Sequence, residues 1–88
     1  MSSGVLRANV DQAGGLIIEG SPDVQVNGKP VVRVGDKVSP HGPGAHNSPK
    51  MIEGSTTVFC NGKPVCRNGD KASCGHTASS GSGNVYVG

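Results

Sequence analysis

The sequence predicts a small all-β protein made of short hairpins, with essentially no helix. Three observations carry this prediction: a 20-residue segment occurs twice, each copy holds an Asn-Gly pair beside a V-x-V or V-x-C run, and sustained helical periodicity is absent. Alternation of this kind is typical of a strand with one buried face, and Asn-Gly favours the positive φ angles of a two-residue hairpin turn. We therefore expect a single domain over residues 1–88.

The two full copies span residues 20–39 and 54–73. They read GSPDVQVNGKPVVRVGDKVS and GSTTVFCNGKPVCRNGDKAS, and they are identical at 13 of 20 positions without a gap. Such agreement indicates internal repetition. A third, truncated copy, GSGNVYVG, follows at 81–88. The strand-forming piece therefore occurs three times, at 24–26, 58–60 and 85–87.

Each full copy predicts the same elements in the same order. After the Asn-Gly turn, Lys-Pro-Val-x-Arg predicts the return strand, because Pro is tolerated where a strand begins. Gly35-Asp36 and Gly69-Asp70 then predict a second turn. The short apolar runs LIIEG at 16–20 and MIEG at 51–54 lead into the two copies.

Composition limits the hydrophobic core. The 88 residues include one Phe, one Tyr, no Trp and 15 Gly. Aromatic side chains supply large buried areas, and each Gly adds to the entropy cost of folding. A core of Val, Ile, Leu and Ala in so short a chain calls for extra stabilisation by a metal, disulfides or a partner.

Two loops rich in Pro, Gly and small polar residues, at 39–50 and 75–83, contain every histidine. Cys74 directly precedes the second loop, and the repeat places it where Pro40 follows the first copy, so both loops are expected at one end of the molecule. Three imidazoles and one thiolate suit a closed, structural zinc site. The competing interpretation is solvated surface histidines, because these spacings are not those of zinc fingers. The candidate ligands are His41, His46, Cys74 and His76.

The other two cysteines are interpreted as small buried apolar residues. Cys60 and Cys66 stand where the first copy has Val26 and Val32. A Cys60–Cys66 disulfide across the Asn-Gly turn is the less favoured alternative, and either residue is a metal ligand only if Cys74 is not. An odd count of three cysteines argues against a purely disulfide framework.

Several function classes are disfavoured. The net charge is +2 and the basic residues are scattered, which is untypical of a nucleic-acid protein. Neither a membrane span of about 20 apolar residues nor a signal peptide is evident, so we expect synthesis in the cytoplasm and export by another route. Asp36 and Asp70 repeat with the unit and are interpreted as turn residues, so we expect no enzyme activity.

The paired N-G-K-P-V-x-R-x-G-D units, the loop P-H-G-P-G-A-H, and C-G-H followed by GS-x-x-V resemble the PAAR-repeat proteins over roughly residues 16–88. In place of the family's Pro-Ala-Ala-Arg, this chain has PVVR at 30–33 and PVCR at 64–67. The larger middle residues keep the strand pattern but could alter the packing.

The resemblance implies a conical β-hairpin fold with pseudo-three-fold symmetry and long loops. Such a monomer caps a trimeric β-helical spike, one tip per trimer, and sharpens it for envelope penetration. The spike is VgrG-like in type VI secretion or the central spike of a contractile phage tail, and the sequence leaves both open. Effectors are additional candidate partners, whereas nucleic acid and stable membrane insertion are not expected. The tip would be assembled into its machine and delivered outside the cell.

The resemblance also implies one structural zinc ion near the apex, held by His41, His46, Cys74 and His76. Iron stays an alternative, since imidazole and thiolate suit both metals. The alternative function is a free-standing zinc-binding adaptor that recruits effectors or other protein partners. A small hydrolase is a third hypothesis, but the sequence offers no strained nucleophile turn with an acid partner.

Overall fold

The structure, a computed structural model, describes residues 3–88 and consists of short strands joined by turns and loops. Six two-residue strands form three separate antiparallel pairs, β1–β6, β2–β3 and β4–β5. A single 3₁₀ turn at Gly44–His46 is the only helical element of the described residues, so the all-β prediction is confirmed. No helix in this part of the chain has the length and apolarity to cross a bilayer. The strands are β1 (Ser3–Gly4), β2 (Gln25–Val26), β3 (Lys29–Pro30), β4 (Phe59–Cys60), β5 (Lys63–Pro64) and β6 (Tyr86–Val87).

The two Asn-Gly pairs form the hairpin turns that the sequence predicts. Asn27 and Gly28 join β2 to β3 with φ angles of 55° and 75°, and Val26 pairs with Lys29 across the turn. Asn61 and Gly62 repeat this geometry between β4 and β5, with φ angles of 54° and 76°. Two consecutive positive φ angles are what this type of turn requires, and Asn and Gly tolerate them best.

The third hairpin is completed by the N-terminal segment. Strand β6 pairs with β1, with Gly4 opposite Tyr86, so residues 3–13 follow the path of the return strand and second turn. We call residues 20–39 unit 1, residues 54–73 unit 2, and residues 81–88 together with 3–13 unit 3. The sequence analysis described only the truncated 81–88 part of unit 3 and did not predict its completion.

The three units meet on a pseudo-three-fold axis. The backbone N–H of Leu6 donates to the carbonyl of Cys66, that of Cys66 to Val32, and that of Val32 back to Leu6, at 3.0, 2.9 and 3.1 Å. All three side chains are fully buried. A closed ring of equivalent hydrogen bonds shows that the units are related by rotation. The overall dimensions, 33 × 25 × 24 Å, agree with one long axis and two similar short ones.

Each unit contains one arginine–aspartate pair whose aspartate is buried. The closest N–O distances are 2.8–2.9 Å in all three, and each aspartate also accepts the backbone N–H of its arginine. These carboxylates hold the second turn together and are saturated by donors, as expected of turn residues. The pairs are Arg33–Asp36, Arg67–Asp70 and, in unit 3, Arg7–Asp11.

The Arg7–Asp11 pair of unit 3 is expected to contribute less to the stability of the fold in acid. Burial opposes the ionisation of Asp11, but hydrogen bonds from Arg7 and Ser80 outweigh it and hold the pKa of this carboxyl below its ordinary value of 3.8. A lowered pKa means that the pair stabilises the fold above pH 3.8 and loses that contribution as the pH falls through the folded-state pKa.

Asp11→Asn is therefore expected to destabilise the protein at neutral pH and to matter progressively less in acid. The loss at neutral pH should be about 2 kcal/mol, typical of hydrogen bonds to a charged group. Melting curves of both proteins across the acid range test this expectation. If the difference in melting temperature between wild type and Asp11→Asn stays constant to well below pH 3.8, the stabilising role assigned to the ionised Asp11 is wrong.

Buried apolar residues divide into two clusters. The larger cluster surrounds the axis at Leu6, Val32 and Cys66 and extends to the ends of the long loops; Cys74 packs against it. The smaller cluster lies beneath the hairpins. The chain of each unit runs from its hairpin past the axis to a loop, so hairpins and loops lie at opposite ends. The smaller cluster consists of Val5, Val31, Cys60 and Val65.

Candidate metal centre

Three segments that leave the units at equivalent points converge at the loop end, which we call the apex. Backbone bridges close each one: Gln12 with Leu16, Lys37 with Lys50, and Lys71 with Thr77. The first encloses only a tight turn through Gly14-Gly15, the second the long loop, and the third a short turn that carries Cys74 and His76. The repeat thus brings the two candidate ligand segments together, as the sequence predicts.

The long loop is folded back on itself, which places its two histidines, His41 and His46, side by side. The N–H of His41 donates to the carbonyl of His46 at 2.9 Å. The 3₁₀ turn over Gly44–His46 supports this return, with the N–H of Asn47 bonded to the carbonyl of Gly44 at 3.1 Å. Gly44, with a φ of 64°, provides the reversal that a side chain would resist.

One atom from each of the four predicted ligands converges on a common point. All four donor atoms lie within 4.8 Å of one another. Nε2 of His41 lies 3.0 Å from Nδ1 of His76 and 3.1 Å from Nδ1 of His46. The sulfur of Cys74 lies 3.6 Å from the same His41 nitrogen and 3.5 Å from Nδ1 of His76.

These separations fit a metal ion with tetrahedral coordination. Zn–N bonds of about 2.05 Å and a Zn–S bond of about 2.3 Å give edges of about 3.3 Å between nitrogens and about 3.6 Å between nitrogen and sulfur. The four distances given above agree with these edges within a few tenths of an ångström, and the other two pairs of donor atoms lie within 4.8 Å. Four ligands leave no open position, so this donor set is that of a structural site rather than a site that activates water.

The orientation of His41 is fixed by a backbone group. Its Nδ1 lies 3.0 Å from the carbonyl oxygen of Ser39, which can only accept a hydrogen bond. The proton of the neutral ring therefore resides on Nδ1, and Nε2 directs a lone pair toward the other donors. Two further ring nitrogens approach that same Nε2, an arrangement that a shared cation explains. Outer hydrogen bonds of this kind are usual for metal-bound histidine.

The other two thiols belong elsewhere. Cys66 is fully buried on the axis, its Sγ donates to the carbonyl of Glu53 at 3.2 Å, and burial raises the pKa of the thiol. Cys60 lies in the smaller apolar cluster, with its Sγ 3.2 Å from Oδ1 of Asn61. All three cysteines are free, so the disulfide alternative is absent from the structure. Cys74 is the thiol placed to bind a metal as thiolate.

Sequence reasoning missed two residues at the centre. Gly14 and Gly15 lie against the rings of His41 and His76, and both precede residues 16–88, over which the sequence resembles the family. The Gly-Gly pair was visible in the sequence, but by itself it indicates only a turn.

The family model of the PAAR motif matches residues 8–80, most of the 88-residue chain. The match begins before the 16–88 range of the sequence resemblance, in agreement with the structural role of the N-terminal segment in unit 3. A search of curated proteins finds none that matches the chain. PAAR-motif proteins are structural rather than enzymatic, bind metal, and associate with spike complexes of type VI secretion and phage-related machines. The repeat, the three-fold fold and the matched range together show that the chain belongs to the PAAR-motif family.

Proposed function

We propose that this protein caps a trimeric spike, with its hairpin end seated on the trimer and its apex forming a metal-stapled point. The observation that carries the proposal is the pseudo-three-fold arrangement of exposed apolar residues at the hairpin end. A single chain with three equivalent contact sites is suited to a partner with true three-fold symmetry.

The exposed apolar residues at the hairpins define what we call the base face. Three valines at equivalent positions are exposed to similar extents, Val24 at 42%, Val58 at 36% and Val85 at 36%. Phe59 and Tyr86, also at equivalent positions, are 58% and 55% exposed. The valines and Phe59 surround a shallow apolar depression to which the buried Val5, Val31 and Val65 also contribute. An exposed apolar patch of this kind commonly marks an interaction site.

The symmetry of the base face suits the end of a β-helical trimer. Such an end presents three strand edges, whose unpaired backbone groups would otherwise recruit other strands. Each of the three units would present the hairpin that begins at its exposed valine to one subunit of the spike. One tip would therefore bind one trimer. The two aromatic side chains can supply anchors, since a few aromatic residues commonly dominate the energy of an interface.

The apex supports the second half of the proposal. The long loop at 39–50 contains five Pro or Gly residues and has little core of its own, and His41, His46 and Cys74 are only half-buried. A metal bound by the four side chains would cross-link the long loop to the segment at residues 73–77, and its binding energy would become folding energy. We infer zinc from the closed N₃S donor set, with iron to be distinguished by elemental analysis.

Delivery to the exterior follows from the same proposal. A tip that leads a contractile spike is assembled from protein made in the cytoplasm and is carried through a target envelope. The rigid apex would meet the envelope first, while the base face stays buried against the spike. Effector proteins would then be cargo of the complex rather than partners of the base face.

The proposal is tested by mixing the purified protein with a trimeric spike fragment of VgrG type or phage central-spike type. Size-exclusion chromatography with light scattering should show the trimer plus one 8.8 kDa chain. Stable capture of three chains per trimer would contradict the capping geometry. Partner binding without any affinity for either trimer would instead support the adaptor alternative.

A further inference from the structure

The third apical segment, Gly14-Gly15, offers no donor atom but borders the metal centre directly. It occupies the position that the long loop and the Cys74–His76 turn occupy in the other two units. The four donor atoms thus come from two of the three equivalent segments. The rings of His41 and His76 lie next to the third segment, Gly14-Gly15.

Gly14 leaves room for the donor nitrogens themselves. A Cβ atom at this position would overlap Nδ1 of His76 and would lie 2.9 Å from Nε2 of His41. These two nitrogens are the donors that stand 3.0 Å apart. A methyl group here would therefore force at least one ring away from the common point, because carbon contacts normally begin at about 3.5 Å.

Gly15 leaves room for the hydrogen bond that orients His41. A Cβ atom here would lie 2.8 Å from Nδ1 of His41 and 2.8 Å from the carbonyl oxygen of Ser39. Those are the two partners of the 3.0 Å hydrogen bond that fixes the ring. The methyl group would separate them and free the ring to rotate.

Backbone conformation does not account for both glycines. Gly14 has a φ of 84°, a left-handed value that favours glycine, but Gly15 has no such angle. Other left-handed glycines, such as Gly35 with a φ of 96°, have open space where a Cβ would lie. Clearance for the two histidine rings is the common property of Gly14 and Gly15.

We propose that Gly14 and Gly15 are positioning residues of the metal centre, whose missing side chains let His76 and His41 direct their donor nitrogens at one ion. The inference rests on the metal site of the proposed function and extends that site to a third segment. It concerns metal binding alone, so a protein that binds metal but fails to dock on a trimer would overturn the cap and leave this inference standing.

Each substitution has a matched control. Gly14→Ala is compared with Gly35→Ala, which adds a methyl group at a similar φ without a neighbour, and Gly15→Ala is compared with Gly83→Ala, which adds one in open space at an ordinary φ. Titration with Co²⁺ reports the donor set through its visible absorption bands. Competition against a chromophoric chelator gives the Zn²⁺ affinity, and melting curves of the metal-free proteins report the fold.

We expect Gly14→Ala and Gly15→Ala to lower Zn²⁺ affinity at least 10-fold, a loss of about the size seen when outer contacts of metal ligands are removed. Their Co²⁺ spectra should change, while both controls keep the wild-type spectrum and affinity. Metal-free Gly15→Ala is expected to melt below metal-free Gly83→Ala, because its Cβ also meets the backbone carbonyl oxygen of Ser39 at 2.8 Å, so the Zn²⁺ affinity and the Co²⁺ spectrum decide the proposal.

Unchanged affinity and spectrum in Gly15→Ala would overturn the proposal, as would a loss confined to the stability of the metal-free protein. If Gly14→Ala does not fold, Gly15→Ala decides the matter alone. A wild-type protein that takes up neither Co²⁺ nor Zn²⁺ would overturn the metal centre and this inference with it.

Discussion

Cys74→Ser and His46→Ala are each expected to lower the melting temperature of the metal-loaded protein by about 10–20 °C. Loss of one of four ligands should weaken zinc binding at least about 100-fold, since removal of outer contacts alone costs up to that much. At a fixed excess of metal this corresponds to about 2.7 kcal/mol. In a domain of this size, 1 kcal/mol shifts the melting temperature by about 4–8 °C.

The decisive measurement is the difference between melting temperatures in zinc and in chelator. Wild type should show a large difference, and both ligand variants a small one. Cys60→Ser is the matched control: it removes a buried thiol from the smaller apolar cluster, so it should lower both melting temperatures together and keep the difference. Equal melting curves for wild type and Cys74→Ser in zinc would exclude a structural metal.

The hairpins and the convergence of the four candidate ligands could be predicted because each depends on local chemistry. Asn27-Gly28 has one favourable conformation, and the structure adopts it with both φ angles positive. The four candidate ligands are the three histidines of the chain and the one cysteine outside the strands that the sequence predicts, so composition restricted the choice. The repeat then placed their loops at equivalent points, which is a property of sequence alone.

Completion of unit 3 could not be predicted because its sequence departs from the repeat at the critical points. Arg7 and Asp11 are separated by one residue more than Arg33 and Asp36, which disguises the shared ion pair. The strand partners are also distant in sequence, with Gly4 opposite Tyr86. Only the three-dimensional fold shows that these two segments form one unit.

In each copy, the second of the two residues that replace the family's small pair lies at the centre of the molecule. Val32 and Cys66 join Leu6 on the pseudo-three-fold axis, and all three are fully buried. Pattern alone could not decide whether larger side chains would disturb the packing. The structure shows that Leu6, Val32 and Cys66 belong to the larger apolar cluster and are accommodated there.

The double variant Phe59→Ala/Tyr86→Ala is expected to weaken binding to a trimeric spike at least about 100-fold, because truncating a central aromatic anchor typically costs about 2 kcal/mol or more. Both side chains are more than half exposed in the isolated protein, so the fold should keep its stability within about 0.5 kcal/mol per substitution. Binding is measured by titration of the trimer, and stability by melting curves.

The pseudo-symmetry provides the controls for this prediction. Gln25 occupies the position of Phe59 in unit 1, so Gln25→Ala alters the same face without removing an aromatic anchor, and its effect on binding should be small. Ile18→Ala and Ile52→Ala remove comparably exposed apolar side chains outside the base face and should leave affinity unchanged. If the isoleucine variants weaken docking and the aromatic variant does not, the trimer contacts the flank of the molecule rather than its hairpins. All of these variants are expected to fold and to bind metal. A change in affinity for the trimer can therefore be assigned to the docking surface and not to loss of the metal centre.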